Sequence, residues 1–156
     1  MRSRALLLAA LVAAVAACGP SGDPDLRVVN DVRAATPVSG SSQVVLTLAN
    51  DGDGPDELVG AETPAALGVE IHLTEIDDGR ATMAELESVE LPAGEEVRFR
   101  PGGLHLMLVV PDDTVVEGGT FELTLTFDRS EPITVPAEVV PLLDLADDAF
   151  DEDPPG

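Results

Sequence analysis

The sequence predicts a single all-β domain, an antiparallel sandwich or barrel, and three observations carry this prediction. Short β-prone runs alternate with turn residues from Leu26 to Val140. No stretch longer than a few residues spaces its apolar residues convincingly as a helix would. A length of about 115 residues is ordinary for one domain. Its core must be mostly aliphatic, because the aromatic residues it contains are limited to Phe99, Phe121 and Phe127.

The chain begins with the features of a secretion signal. "MRSR" is basic, "ALLLAALVAAVAA" is apolar, and Cys18 follows the small residues at the end of that run. The apolar run of 13 residues is too short to cross a bilayer, which takes roughly 20. We therefore expect residues 1–17 to be a signal peptide that is removed, and the rest of the chain to be secreted across the cytoplasmic membrane.

Cys18 is the only cysteine, and "VAAC" resembles the lipobox of bacterial lipoproteins, in which the cysteine becomes the lipid-modified first residue. We expect a lipid on Cys18, a tether over residues 18–25, and a domain held in the cell envelope or periplasmic space by that lipid alone. The alternative is an ordinary signal peptide that happens to contain a cysteine. In both cases a lone cysteine excludes an intrachain disulfide.

The strands are predicted from runs rich in β-branched and apolar residues, bounded by Gly, Pro and Asp. In chain order the runs are "LRVVNDVRA", "QVVLTLAN", "GVEIHLTEI", "EVRFR", "LHLMLVV", "TFELTLTF" and "ITVPAEVV". The turn segments are "DGDGPDE", "DDG", "LPAG", "PGG", "PDD", "EGG" and "DRSEP". Together they predict a domain over residues 26–140.

An acidic tail over residues 141–156 follows the predicted domain. It reads "PLLDLADDAFDEDPPG", which predicts a brief amphipathic turn around residues 142–150 before a solvated end.

The charge balance narrows the classes of partner. The chain has 30 Asp and Glu residues against 8 Arg and no Lys, which gives a formal net charge of −22. Such a surface repels phosphate backbones, so we expect no nucleic acid partner. The acids are scattered rather than grouped in a ligand-like loop, which favours a role in solubility over the attraction of cations or a basic partner.

The sequence gives little support to an enzyme. It has no G-x-S-x-G elbow, no glycine-rich stretch with phosphate-loop spacing, and only two histidines. Paired carboxylates are uninformative in so acidic a chain. We therefore predict a protein without catalytic turnover.

The histidines and methionines are clustered. Apart from Met1, all of them fall within one window of 36 residues, and we call them the His/Met set: His72, Met83, His105 and Met107. Scattered core residues would not be expected to cluster in this way.

Strand alternation tests whether the His/Met set can meet. In "LHLML" the leucines share one face, while His105 and Met107 share the other, about 6.7 Å apart. In "VEIHLT", His72 likewise lies opposite the aliphatic face. A two-residue turn at "DG" in "DDGR" would pair Thr74 with Met83 and place that thioether diagonal to His72, whereas a one-residue slip would turn it away.

The chemistry of these ligands narrows the choice of metal ion. Thioethers are soft and neutral, and they suit Cu(I) far better than Mg²⁺, Ca²⁺ or Zn²⁺. The four neutral ligands of the His/Met set also suit a monovalent ion. A blue-copper centre would need a thiolate, and the only cysteine is assigned to the lipid. The sequence therefore predicts a roughly tetrahedral Cu(I) site.

These residues resemble a known pattern. The spacing H-x10-M-x21-H-x-M of the His/Met set is similar to that of the PCuAC-type periplasmic copper chaperones, and "PGGLHLMLVV" resembles their "PGGxHxMLxG" strand. The similarity extends over residues 28–135. It implies a cupredoxin-like β-sandwich that binds Cu(I) through the His/Met set and hands it on.

The resemblance also implies an acceptor. In that family it is usually the CuA centre in subunit II of cytochrome c oxidase, sometimes with the help of a Sco-type thiol protein. The tail after Pro141 has no His or Met, so the sequence gives no support to the Cu(II)-binding extension that some members carry. Two alternatives stay open: a copper storage or resistance lipoprotein, and an immunoglobulin-like structural or interaction lipoprotein without metal.

Overall fold

The computed structural model describes residues 22–147, and its backbone is almost entirely β-structure. Within that range it has eleven strands and one short helix. The elements are β1 (Leu26–Val28), β2 (Val32–Ala35), β3 (Ser41–Asn50), β4 (Asp56–Glu62), β5 (Ala66–Asp77), β6 (Arg80–Leu86), β7 (Val89–Leu91), β8 (Glu96–Phe99), β9 (Leu104–Pro111), β10 (Thr120–Phe127), β11 (Ile133–Val140) and α1 (Leu142–Asp147).

The strands form one open mixed sheet in the order β6-β5-β9-β3-β2-β11-β10-β4-β7, with β1 and β8 also paired to β3. The predicted all-β fold class is confirmed. The antiparallel arrangement holds for every described pair except β2 and β11, which run parallel. This pairing joins segments about a hundred residues apart, so no local pattern in the sequence indicates it.

The sheet curls so that strands from both ends of this order share one core. Ile71 of β5 and Leu91 of β7 belong to the same buried cluster. The core is mostly aliphatic, as predicted, and the three aromatic residues named above are all buried in it. Asn50 joins the layers at one end, because its side-chain amide donates to the backbone oxygens of Gly54 and Leu91, both at 2.9 Å.

Strands β8 and β9 lie end to end along β3, with a four-residue turn inserted between them. Leu46 of β3 pairs with Phe99, and Val44 pairs with Leu106. The Arg100 N–H donates to Leu104 O at 2.6 Å, and the Gly103 N–H donates to Arg100 O at 3.2 Å, which closes the turn. The predicted "PGG" turn therefore sits immediately before the strand that carries the second histidine.

Helix α1 covers part of the outer face of the sheet. Leu145 is buried there with Ala35 and Val45, and together they form a small second cluster. The helix lies within the predicted amphipathic turn at residues 142–150, whose last three residues fall outside the described range.

Residues 22–25 pack against the β3–β4 loop. The N–H groups of Asp53 and Gly54 donate to Asp23 O, and the Asp51 N–H donates to Asp25 O. The contact is so close that a Cβ atom on Gly54 would lie 2.2 Å from Gly22 O. Part of the predicted tether is thus joined to the domain by its backbone.

Two predictions about the N-terminus, the signal peptide and the lipid on Cys18, lie outside the described residues. Within the described range, no helix is long and apolar enough to cross a membrane.

Candidate metal centre

The β5–β6 hairpin positions the first half of the His/Met set. Its tip is Asp78-Gly79, with φ angles of 48° and 76°, as a two-residue turn with both central residues left-handed requires. Thr74 pairs with Met83, so the register predicted from "DDGR" is confirmed. Met83 therefore lies on the same sheet face as His72, one diagonal step away, and its side chain is 51% exposed.

The second half lies on β9, the other neighbour of β5. His105 pairs directly with His72, and Met107 pairs with Glu70 on one side and Gln43 on the other. The two imidazole ring centroids are 5.7 Å apart, and their planes are nearly perpendicular at 84°. Three adjacent strands thus bring the His/Met set to one face of the sheet.

His105 is completely buried, with 0% of its surface exposed. Its Nδ1 lies 3.0 Å from Gly103 O, and since a carbonyl only accepts, Nδ1 must carry the proton. Nε2 then carries the lone pair. Among the described residues, it is the one buried side-chain nitrogen or oxygen that has no hydrogen-bond partner.

Burial lowers the pKa of His105 below its ordinary value. The hydrogen bond to Gly103 O acts in the opposite direction, and the charge of a protonated His72 would lower the pKa further. The ring is therefore neutral at neutral pH, which is the form that binds a metal.

His72 makes two side-chain contacts. Its Nε2 lies 2.9 Å from a carboxylate oxygen of Glu70, and its Nδ1 lies 3.1 Å from the Met83 sulfur. Its side chain is 14% exposed, so this ring is also largely covered. One nitrogen thus faces a carboxylate, and the other faces a thioether.

This donor set fits Cu(I). A buried, unpartnered imidazole nitrogen, a second imidazole beside it and nearby thioethers are neutral, soft or borderline ligands. The described residues contain no group of three or more His, Cys, Asp or Glu arranged to hold a metal ion. The charge of the ion also favours Cu(I), because burying a divalent ion among neutral ligands costs more free energy than burying a monovalent one.

Two features of this site were not predicted. The alternation pattern placed both histidines opposite the core, yet His105 is fully buried, and its ring contacts the carbonyl of Gly103 in the turn before β9. The contact between Glu70 and His72 was also missed, since one acid among 30 carries no signal of its own. Its position two residues from a histidine on a strand could have indicated it.

Known proteins are similar to this one over most of the chain. The family model described as "Putative lipoprotein LpqE-like" matches residues 27–139. "Putative lipoprotein Lxx21020" of Leifsonia xyli subsp. xyli (strain CTCB07) is 32% identical over 103 residues, and "Uncharacterized protein RP573" of Rickettsia prowazekii (strain Madrid E) is 33% identical over 89 residues. These alignments cover 64% and 56% of this chain, but only 62% and 49% of the two relatives.

Solved structures match the fold. The "Copper-bound PCuAC domain from PmoF2" has a TM-score of 0.62 at 24% identity, and the match covers 74% of this chain and 92% of that one. The "Solution structure of CuI-DR1885 from Deinococcus Radiodurans" has a TM-score of 0.58 at 26% identity, covering 82% and 83%. These matches confirm the predicted sandwich and the resemblance to PCuAC-type domains.

Proposed function

Because the chain belongs to the LpqE-like lipoprotein family and has the PCuAC fold, we propose that it binds one Cu(I) ion through the His/Met set and delivers it to an acceptor protein. The observation that carries this proposal is the buried Nε2 of His105. A buried polar atom without a hydrogen-bond partner lowers the stability of a fold by about 1–3 kcal/mol, so the presence of this one calls for an explanation. A metal ion that accepts its lone pair would supply one.

The comparisons support copper as the cargo. Two of the matched structures are named as copper-bound, one of them specifically with Cu(I). The protein at 26% identity to this chain is the Cu(I)-bound one. Copper is here the transferred substrate and takes part in no turnover, so the proposed role is that of a carrier.

The exposure of the ligands suggests how the ion leaves. His105 is enclosed, whereas Met83 lies on an exposed hairpin with about half of its side chain in contact with solvent. A thioether is also a neutral and readily exchanged ligand. We infer that a ligand of the acceptor displaces Met83 first, while the histidines hold the ion until the transfer is complete.

The proposed location is the cell envelope, with a lipid on Cys18. The family description and one relative name lipoproteins, which supports this assignment. The acceptor we propose in the same compartment is the CuA centre of cytochrome c oxidase subunit II, reached directly or through a Sco-type thiol protein. A storage role shares the site and differs only in the absence of delivery.

Copper binding is tested by anaerobic titration of the purified domain with Cu(I) against a chromophoric chelator. We expect a 1:1 complex, and we expect Met83→Leu and Met107→Leu each to weaken it by at least about tenfold. Ile76→Leu is a matched control, because Ile76 is an exposed apolar residue on the same hairpin as Met83. Tight binding that is unchanged in both methionine variants would exclude the proposed ligand set.

Delivery is tested in cells. A strain without the protein should lose cytochrome c oxidase activity at limiting copper and regain it when copper is added. Normal oxidase activity at limiting copper, together with copper sensitivity, would instead support the storage role.

A further inference from the structure

Glu70 stands beside the proposed copper site without belonging to the His/Met set. It precedes His72 by two residues on β5, so both side chains lie on the outer face of the sheet. One carboxylate oxygen lies 2.9 Å from His72 Nε2, and the Glu70 side chain is 40% exposed. Across the sheet, Glu70 pairs directly with Met107. It therefore contacts one proposed ligand and is the cross-strand neighbour of another.

The contact decides which nitrogen of His72 is free. A carboxylate can only accept, so a 2.9 Å contact requires the proton on Nε2. The other neutral tautomer would place an imidazole lone pair against a carboxylate lone pair. With the proton on Nε2, the Nδ1 lone pair points towards the Met83 sulfur, 3.1 Å away. His72 Nδ1 and the Met83 sulfur are then close enough for one ion to bind to both.

Charge gives Glu70 a second effect. The His/Met set is neutral, so a bound Cu(I) ion would leave one positive charge beside the fully buried ring of His105. The Glu70 carboxylate contacts Nε2 of His72, so an ion held by the other nitrogen of that ring would have this negative charge across one imidazole ring. At such a distance in a partly covered site, an opposite charge stabilises the ion more than it would in water.

A nearby acid provides a built-in comparison. Glu85 on β6 pairs directly with His72 from the other side, and it is exposed. Within the described range, it makes neither a hydrogen bond nor an ion pair with that ring. Two carboxylates are therefore neighbours of His72 in the sheet, but only Glu70 engages its imidazole.

We propose that Glu70 is a positioning residue of the copper site, which fixes the tautomer and orientation of His72 and balances the charge of the ion. This inference rests on the proposed Cu(I) function. Partners of this kind behind a ligating histidine typically change metal affinity by about 10- to 100-fold.

The test compares Glu70→Ala and Glu70→Gln with Glu85→Ala and Glu85→Gln. In the copper-free protein, at a pH of about 8.5, ¹⁵N chemical shifts report the tautomer of His72. We expect the wild type and both Glu85 variants to hold the proton on Nε2, and Glu70→Ala to give a mixture. Gln keeps an acceptor oxygen, so Glu70→Gln should preserve the tautomer.

The second measurement is Cu(I) affinity by chelator competition. We expect Glu70→Ala to weaken binding by about 10- to 100-fold and the Glu85 variants by less than about threefold. Glu70→Gln should fall between them, because it keeps the hydrogen bond and loses the charge.

The outcomes separate the two proposals. If the wild type binds Cu(I) but the Glu70 variants match the Glu85 variants in Cu(I) affinity and in the tautomer of His72, the proposed role of Glu70 is wrong. The proposed copper function then stands. If the wild type fails to retain Cu(I), the proposed function is wrong and the role of Glu70 in it falls too. Circular dichroism of each variant verifies that the fold is intact.

Discussion

His72 and His105 face each other directly across β5 and β9, with ring centroids 5.7 Å apart and planes at 84°. The carbonyl of Gly103 fixes the proton of one ring, and the carboxylate of Glu70 fixes that of the other. Each ring therefore keeps one nitrogen free of a proton. A pair arranged in this way is suited to metal binding more than to a purely structural role.

The first prediction concerns the cost of keeping His105 in the absence of metal. We expect His105→Leu to abolish tight Cu(I) binding and to leave the free energy of unfolding of the copper-free domain unchanged or higher by about 1 kcal/mol. Leucine removes the unpartnered Nε2, and Gly103 O still accepts the Thr74 N–H at 3.0 Å. Urea denaturation of the copper-free proteins measures this.

A comparison variant calibrates that measurement. Leu106→Ala, in the core next to His105, should cost about 2–5 kcal/mol. If His105→Leu were destabilising to a similar extent, the histidine would be a structural residue and the argument from its free nitrogen would fail.

Val110 predicts a gain in stability. Its φ of 49° is left-handed, which a β-branched residue adopts only under strain, and its side chain is 58% exposed. The PCuAC pattern has glycine at this place. We expect Val110→Gly to raise the free energy of unfolding by up to about 1 kcal/mol, whereas Val109→Gly on the same strand should lower it. Thermal and urea unfolding of the two variants would show opposite signs.

The turn at the tip of the β5–β6 hairpin predicts a selective loss of copper affinity. Gly79 has a φ of 76° with open space around it, so Gly79→Val strains only the backbone, by about 1–2 kcal/mol. We expect the register of Met83 to loosen and Cu(I) binding to weaken several-fold.

Gly118 is the matched control for that variant. Its φ is 78°, and it also has open space, but it lies in the turn before β10, on a different part of the sheet. Gly118→Val should destabilise the domain to a similar degree without changing Cu(I) affinity. Equal effects of the two variants on affinity would show that general destabilisation, and not hairpin register, controls the site.

Asp56 predicts part of the acid sensitivity of the domain. Burial raises its pKa, but hydrogen bonds from the Ser130 hydroxyl and from the N–H groups of Glu57, Arg129 and Ser130 outweigh this, and the pKa is lowered overall. Its contribution to stability is thus present above the unfolded value of about 3.8 and is lost as the pH falls through the lower folded value.

We expect Asp56→Asn to cost about 2 kcal/mol at pH 7, because the charge-assisted hydrogen bonds are lost. The difference from the wild type should shrink as the pH falls below about 3.8. Asp53→Asn, at an exposed site in the adjacent loop, should stay within about 0.5 kcal/mol of the wild type throughout. A difference for Asp56→Asn that did not vary with pH would contradict the assignment.

Local chemistry made much of the site predictable. "DG" flanked by strand residues requires a particular turn, and that turn sets the register of Met83. Alternation then places His72 on the same face. "TFELTLTF" and "ITVPAEVV" coincide with β10 and β11, because their boundaries are marked by Gly and Pro.

Long-range packing decided the rest. The pattern "DGDGPDE" predicts a turn, but Asp56 begins β4, since the backbone N–H groups of residues 129–130 donate to its carboxylate and make an acid acceptable there. His105 likewise has the ring of His72 5.7 Å away, a neighbour that only the folded sheet brings near. The metal ligation of the His/Met set stays a prediction.

The close packing of residues 22–25 on the β3–β4 loop bears on where the protein can work. If Cys18 is acylated as we propose, four residue steps separate the lipid from Gly22, a reach of at most about 14 Å. A linker of this length would confine the domain to a thin layer at the membrane surface. Its search for an acceptor becomes two-dimensional, and the effective concentration of any partner anchored in the same membrane rises accordingly. Such a carrier serves copper sites that sit close to the bilayer and is poorly placed to serve those in the open compartment.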